Sequence, residues 1–336
     1  MKVVILGAGG VGSIVAGHLA QIGVEVIMIA RPGHCQAVLE NGLHITGLSD
    51  FRVKLPAYHD AKSLQSTDVL LIAVKTKDME LALQGVKHLD IGCVASLQNG
   101  VVKNKQMAEV FGADKVLGAT TMIGATLVQD GEVNYSLDGI TFFGERDGKR
   151  SQRVETLVQA FVDAGLKATA SENITSIEWT KQAIQNPFAP IAAITRLPVH
   201  LVWSSPELAA LSVHMFREVA AVANALHIPL SEHSAWSLFD QKILGDAPFE
   251  EAVQMLVNAG RQVADSGRTH IIPSMLQDVL AGKKTEIEET VGHVFSEGKR
   301  LGIPVPYTEF AYRTVKAIEE NYAARLSPEI TTGADV

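Results

Sequence analysis

Over the first 120 residues, short apolar runs alternate with stretches of helical periodicity. The clearest runs are 3–6, 24–30, 69–74, 92–97 and 115–121. They are close to continuously apolar instead of alternating with polar residues. A strand of that kind is buried on both faces, as in a parallel sheet with crossover helices packed on each side. Between 123 and 144 the pattern changes. Gly124, Gly131, Gly139 and Gly144 punctuate β-like pieces such as Glu132–Tyr135 and Ile140–Phe143, which predict antiparallel strands extending the sheet. A helix near 149–164 and a short strand near 167–170 complete this half.

From 173 onward the period is helical nearly to the end, with apolar residues at helical spacing over 208–226, 249–265 and 286–301. The chain therefore reads as α/β: a Rossmann-type sheet domain over 1–172, then an all-α domain over 173–336. No linker-like composition separates them, so the boundary is a change of period, and the halves are expected to pack around a cleft.

Composition narrows the functional classes. The 336 residues suit two domains, and a net charge of −8 without a basic, aromatic-interleaved cluster argues against a nucleic-acid partner. Cys35 and Cys93 form neither a disulfide framework nor a metal spacing, and the 11 histidines are scattered, so no metal site is expected. No stretch reaches the ~20 apolar residues of a membrane span, and a first strand starting at Val3 leaves no room for a signal peptide. The expected setting is cytoplasmic, with no membrane association. Apolar stripes on the helical half suit a homodimer.

The chemistry begins at the first strand. Val3-Val4-Ile5-Leu6 runs directly into Gly7-Ala8-Gly9-Gly10-Val11-Gly12 and then into a helical pattern. Strand, G-x-G-x-x-G and helix in that order are a dinucleotide-binding turn. The first glycine makes the turn, the second admits a pyrophosphate, and the third lets helix and strand approach closely. Residues Gly7, Gly9, Gly10, Val11 and Gly12 are thus candidates for cofactor contact, with the pyrophosphate on the helix N-terminus. The second strand ends at Ala30 and is followed by Arg31, where an NAD-binding chain usually carries an acid. A guanidinium there suits the 2′-phosphate of NADP. Lys75, after the run 69–74, is a second cation at a strand's carboxyl end. Each of these cations also reads as an ordinary solvated surface residue.

Three further places carry candidate chemistry. Asn99, in Ser96-Leu97-Gln98-Asn99-Gly100, follows a strand and could bind ribose or substrate, or could simply be an Asn-Gly turn. Lys181 stands alone in an uncharged stretch from Thr180 to Thr195. It either snorkels to solvent or is held in a cleft. Ser274 and Asp278 share a helix face at i, i+4, and Glu286 begins the next helical stretch; solvated acids on a capped helix are the bland alternative.

Taken together, these stretches resemble the ketopantoate reductase family over almost the whole chain. The likeness rests on Gly7, Gly9 and Gly12, Arg31, Lys75, Leu97–Val101, Thr120–Ala125, Trp179-x-Lys181, Ser274–Asp278, Thr285–Ile287 and Gly302–Pro306. The resemblance implies NADPH-dependent reduction of a small 2-oxo acid to a 2-hydroxy acid, as in pantothenate biosynthesis. It implies Lys181 as general acid and Glu286 as the residue that orients it or binds a substrate hydroxyl. Ser274 would hold the substrate carboxylate, with Asp278 and Gln185 also at the substrate, and Asn99 would help align ketone, lysine and cofactor. A β-hydroxyacid dehydrogenase and a catalytically silent NADPH-binding sensor are the rival readings.

The chain also departs from the family. Gln185 and Ala189 stand where the family has asparagines four and eight residues after the lysine. Val199-His200 replaces an Asn-Gly, and Ile271 replaces another asparagine. Losing several amides, at Ala189, Val199 and Ile271, makes a different, more apolar 2-oxo acid a competing substrate. Pro187 is expected to kink or end its helix just past Gln185, and Asn186 lies about 100° out of register.

Overall fold

The computed structural model describes residues 1–231, 240–267, 269 and 271–322. The chain divides into two compact units, Met1–Gln182 with Ile228–Ser237, and Ala183–His227 with Leu238–Val336. The end of the expected helical half, 323–336, lies outside the described residues.

The first unit opens with β1 (Lys2–Leu6), α1 (Gly10–Gln21), β2 (Glu25–Ile29), α2 (Pro32–Asn41), β3 (Leu43–Gly47), β4 (Phe51–Val53) and β5 (Ala57–Tyr58). It continues through β6 (Ser66–Ile72), α3 (Met79–Val86), β7 (Asp90–Ser96), α4 (Lys103–Phe111) and β8 (Leu117–Thr121). Then follow β9 (Gly124–Gln129), β10 (Glu132–Leu137), β11 (Thr141–Glu145), α5 (Gln152–Asp163), β12 (Ala168–Ala170) and the start of α6 (Ile174–Thr195).

The central sheet is parallel in the order β5-β2-β1-β6-β7. Its strands are continuously apolar because both faces are covered. On β1, Val3 and Ile5 pack with Ile14, Val15 and Leu19 of α1, whereas Val4 and Leu6 pack with Leu83 of α3 and Met107 of α4. Strand order reverses at β1, which lies between β2 and β6, so the sheet has its switch point at the carboxyl end of β1.

Two expectations about this unit need correction. The run 115–121 does not join the central sheet as a full strand. It touches β7 through the single bridge Val94–Val116, and β8 instead lies in a three-stranded sheet ordered β12-β11-β8. The hairpin β9–β10 does not extend the central sheet either; it pairs with β3 and β4 in the order β4-β3-β10-β9. The reason is visible in burial. Leu43 and Ile45 of β3 are buried while His44 and Thr46 are half-buried, the alternation of a strand with one covered face.

The second unit is helical: α7 (Val199–Ser204), α8 (Pro206–Ala225), α9 (Gln241–Asp246), α10 (Phe249–Asp265), α11 (Ser274–Leu280), α12 (His293–Leu301) and α13 (Pro306–Glu320). A π-turn over Glu288–Gly292 leads into α12, closed by the five-residue bond from Gly292 N–H to Ile287 O at 2.8 Å. Helix α6 does not end after Gln185 but runs 22 residues through both Pro187 and Pro190. Each proline removes a ladder bond at about 3 kcal/mol. Around them Ile184, Phe188, Ile191 and Ala192 are buried, and burying each large apolar side chain contributes about 1.5–3 kcal/mol. Among the described residues no helix is long and apolar enough to cross a membrane.

Candidate functional site

The loops that follow the parallel strands lie at one edge of the central sheet, and four of them carry sequence-predicted site residues. Gly7 follows β1, Arg31 follows β2, Lys75 follows β6 and Asn99 follows β7. At the switch point Gly7 has φ +93°, and its N–H donates to Ile29 O at 2.9 Å, tying the turn to β2. A Cβ on Gly7 would lie 2.4 Å from the Val74 side chain, and one on Gly12 would lie 2.7 Å from Gly7 O. These two glycines are required by backbone packing. Gly10 belongs to the same class, since a Cβ there would meet Ala125 O of β9 at 2.6 Å.

Gly9 differs. Nothing lies within 4 Å of the place its Cβ would occupy, although it caps α1 between three tightly packed neighbours. No protein contact demands glycine here, whereas a ligand approaching the backbone would. The N–H groups of Gly10, Val11 and Gly12 are those an α-helix leaves without an intrahelical acceptor; the first ladder bond runs from Ser13 N–H to Gly9 O at 3.1 Å. The turn therefore fits a dinucleotide's pyrophosphate. Arg31 is exposed at the N-cap of α2, and Lys75 caps the short 3₁₀ turn after β6.

Beside this turn His34, in the first turn of α2, is 1% exposed. Its Nδ1 accepts from Gly131 N–H at 2.9 Å, which places the ring proton on Nε2, 3.1 Å from Ser13 Oγ. Burial pushes its pKa below the ordinary value, opposed by the carboxylate of Asp130.

Lys181 is 6% exposed on α6. Its Nζ donates to Asn99 Oδ1 at 3.0 Å and to Thr121 O at 2.6 Å. The lysine does not snorkel to solvent; it is drawn to the same sheet edge as the glycine turn. A buried ammonium held by two acceptors can donate a proton or stabilise developing negative charge on an oxygen.

Sequence reasoning missed the buried charge pair behind this lysine. Glu178, three residues earlier on α6, accepts from Ala119 N–H through Oε1 at 3.0 Å and from Asn104 Nδ2 through Oε2 at 2.6 Å. Lys103 Nζ lies 3.8 Å from Glu178 Oε1, both side chains being 2% exposed. Lys103 also donates to Gln98 O and Ala119 O, each at 2.7 Å. Burial pushes the Glu178 carboxyl up, and Lys103 is the largest influence holding it down. Both carboxylate oxygens act as acceptors, as suits the ionised form. The detectable signal was an acid at i, i−3 from Lys181 in an apolar setting; nothing local marks Lys103 as buried.

The remaining predicted residues belong to the second unit. Gln185 is half-buried on α6, and Ser274 and Asp278 lie one turn apart on α11, Ser274 exposed and Asp278 half-buried. Glu286 is 8% exposed and precedes the π-turn, its carbonyl accepting from Thr290 N–H at 3.2 Å and Thr290 Oγ1 at 2.6 Å. Among the positions where amides were expected, Ala189 packs against a core that includes Ala193, Met275 and Ile287. Val199 is buried and its N–H donates to the carbonyl of exposed Ile271 at 3.2 Å.

The family model described as "Ketopantoate reductase PanE/ApbA" matches residues 3–148, and its companion, "Ketopantoate reductase PanE/ApbA C terminal", matches 173–319. A 2-dehydropantoate 2-reductase of Archaeoglobus fulgidus is 29% identical over 318 residues, covering 95% of this chain and 98% of the relative. The crystal structure of a PanE/ApbA family ketopantoate reductase from Ralstonia eutropha superposes with TM-score 0.81 at 28% identity, covering 96% of this chain and all of the other. D-mandelate dehydrogenase, solved with NADH and anilino(oxo)acetate, has the same TM-score of 0.81 at 22% identity over 96% of this chain and 100% of its own, a likeness of fold.

Proposed function

This chain belongs to the ketopantoate reductase family, oxidoreductases acting on CH–OH, and from that premise we propose that it reduces a 2-oxo acid with NADPH, Lys181 being the proton donor. The observation that carries this reading is the buried Lys181 ammonium, held by Asn99 and Thr121 at the sheet edge that bears the glycine turn. NADPH, when bound, supplies the hydride. The helix-terminal N–H groups of Gly10, Val11 and Gly12 would hold its pyrophosphate, and Arg31, aided by Lys75, would pair with its 2′-phosphate. Lys181 donates its proton to the ketone oxygen as the alkoxide develops, and Asn99 keeps the ammonium aligned. Ser274 and Glu286 are assigned to substrate carboxylate and hydroxyl by family position, with Gln185 and Asp278 beside them. A cytoplasmic homodimer belongs to the same proposal, its mass to be checked by light scattering.

A second reading concerns the substrate. Ala189, Val199 and Ile271 stand in place of three amides, which favours an acid more apolar than ketopantoate. Both readings are tested by NADPH oxidation with ketopantoate, pyruvate, 2-oxoisovalerate, 2-oxoisocaproate and phenylglyoxylate, with Lys181→Ala as control. A clear preference for ketopantoate overturns the second reading. Inactivity with every acid overturns the first and favours an NADPH sensor.

A further inference from the structure

The Lys103–Glu178 pair is a costly thing to bury. Two charges at 2% exposure lose most of their hydration, and replacing such a pair with apolar residues is often neutral or stabilising. Its value therefore lies elsewhere than in raw stability, and the contacts indicate where. Three segments meet at the Lys181 ammonium: the loop after β7 through Asn99, strand β8 through Thr121, and α6 itself. The pair grips the same three segments. It holds Gln98, one residue before Asn99; Ala119, two residues before Thr121; and Glu178, three residues before Lys181.

We propose that Lys103 and Glu178 form a positioning unit for Lys181, fixing in one register the loop, strand and helix that deliver its ammonium and two acceptors. This rests on the reading of Lys181 as proton donor. Neither residue needs to touch substrate. Lys103 pins both carbonyls, Glu178 pins the Ala119 N–H, and each bond is short enough to resist sliding of one segment past another. Misplacement of a reacting group by about 1 Å can cost about a hundredfold in rate, so the effect should fall on the chemical step.

The test uses the full chain with NADPH and the best 2-oxo acid of the panel, in Glu178→Gln, Lys103→Met and the double variant. Glu178→Gln should fold. Its amide oxygen can still accept from Ala119 N–H, and its NH₂ can donate to Asn104 Oδ1, a buried atom with no hydrogen-bond partner among the described residues, once that amide turns over. The readouts are kcat, KM for the acid, NADPH affinity by fluorescence, the deuterium isotope effect with 4-deuterated NADPH, and Tm. Expected are a fall in kcat of at least tenfold in each variant, NADPH affinity within twofold, and an isotope effect on kcat no smaller than native. The double variant, with no unpaired charge, should recover Tm without recovering kcat. A double variant with native kcat and a dead Lys181→Ala would overturn the positioning role alone. A Lys181→Ala enzyme with native kcat would overturn the proton-donor reading and this proposal with it.

Discussion

Lys181 and Asn99, 82 residues apart in sequence, are joined by a 3.0 Å hydrogen bond from the ammonium to the amide oxygen. The bond couples a helix residue to a loop at the sheet edge, so the two side chains should act as a unit. Lys181→Ala is expected to lower kcat by about 10²–10⁴-fold, the range for general acid catalysis. Asn99→Ala removes one acceptor of the ammonium and should cost about tenfold or more in kcat. Steady-state kinetics of both and of the double variant check this; fully additive losses would refute the coupling.

On the proposed reading, Arg31 selects NADPH over NADH. A charge-assisted pair with a phosphate contributes about 1.5–3 kcal/mol. Arg31→Ala should therefore raise KM for NADPH by about 10–100-fold and leave KM for NADH within about twofold. Equal effects on both coenzymes would mean that Arg31 does not read the 2′-phosphate.

Gly9 and Gly12 should separate binding from folding. Gly12→Ala places a methyl group 2.7 Å from Gly7 O and should lower Tm, since overpacking costs about 1–3 kcal/mol. Gly9→Ala meets no protein atom within 4 Å. It should keep Tm and lose NADPH affinity. Calorimetry paired with cofactor fluorescence distinguishes the two, and a Gly9→Ala protein that binds NADPH normally would contradict the pyrophosphate assignment.

His34 introduces an acid sensitivity. Its imidazole is held below the ordinary pKa by burial, and its Nδ1 must stay unprotonated to accept from Gly131 N–H. The folded state thus favours the neutral ring. The stabilisation is present in full above the unfolded value of about 6.5 and is lost as pH falls through the lower folded value. His18 is shifted the same way, so the native chain loses stability on acidification at two places. Urea unfolding at pH 8 and pH 5.5 should show a smaller pH dependence in His34→Gln than in the native chain; an unchanged slope would exclude His34.

What could be read from the letters was whatever depends on short-range pattern. The run Val3–Leu6, the glycine turn and the start of α1 are contiguous, and their geometry follows from local sterics. Strands β3 to β5 escaped notice because they span only two to five residues, and β3 is covered on one face. Helix α6 outlasted Pro187 because burial over the whole helix outweighed a local rule. The Lys181–Asn99 association was expected from the family resemblance alone, since local pattern marked only two separate candidates, and Lys103 was not expected at all. Whether a lysine is buried depends on carbonyls donated by distant segments, here Gln98 and Ala119, and no local periodicity records that.

The π-turn at Glu288–Gly292 uncouples chain length from direction in this region. A π-turn holds one residue more than the α-helix it leads into needs. Deleting a single residue between 288 and 292 would close it to ordinary α geometry and leave Glu286 close to its present bearing, whereas the same deletion inside α12 would rotate one side against the other by about 100°. Two relatives of different length at this turn would then still aim the same glutamate at the same neighbours. Insertions and deletions here, unlike those in α12, would be a means of varying the chain without re-aiming Glu286.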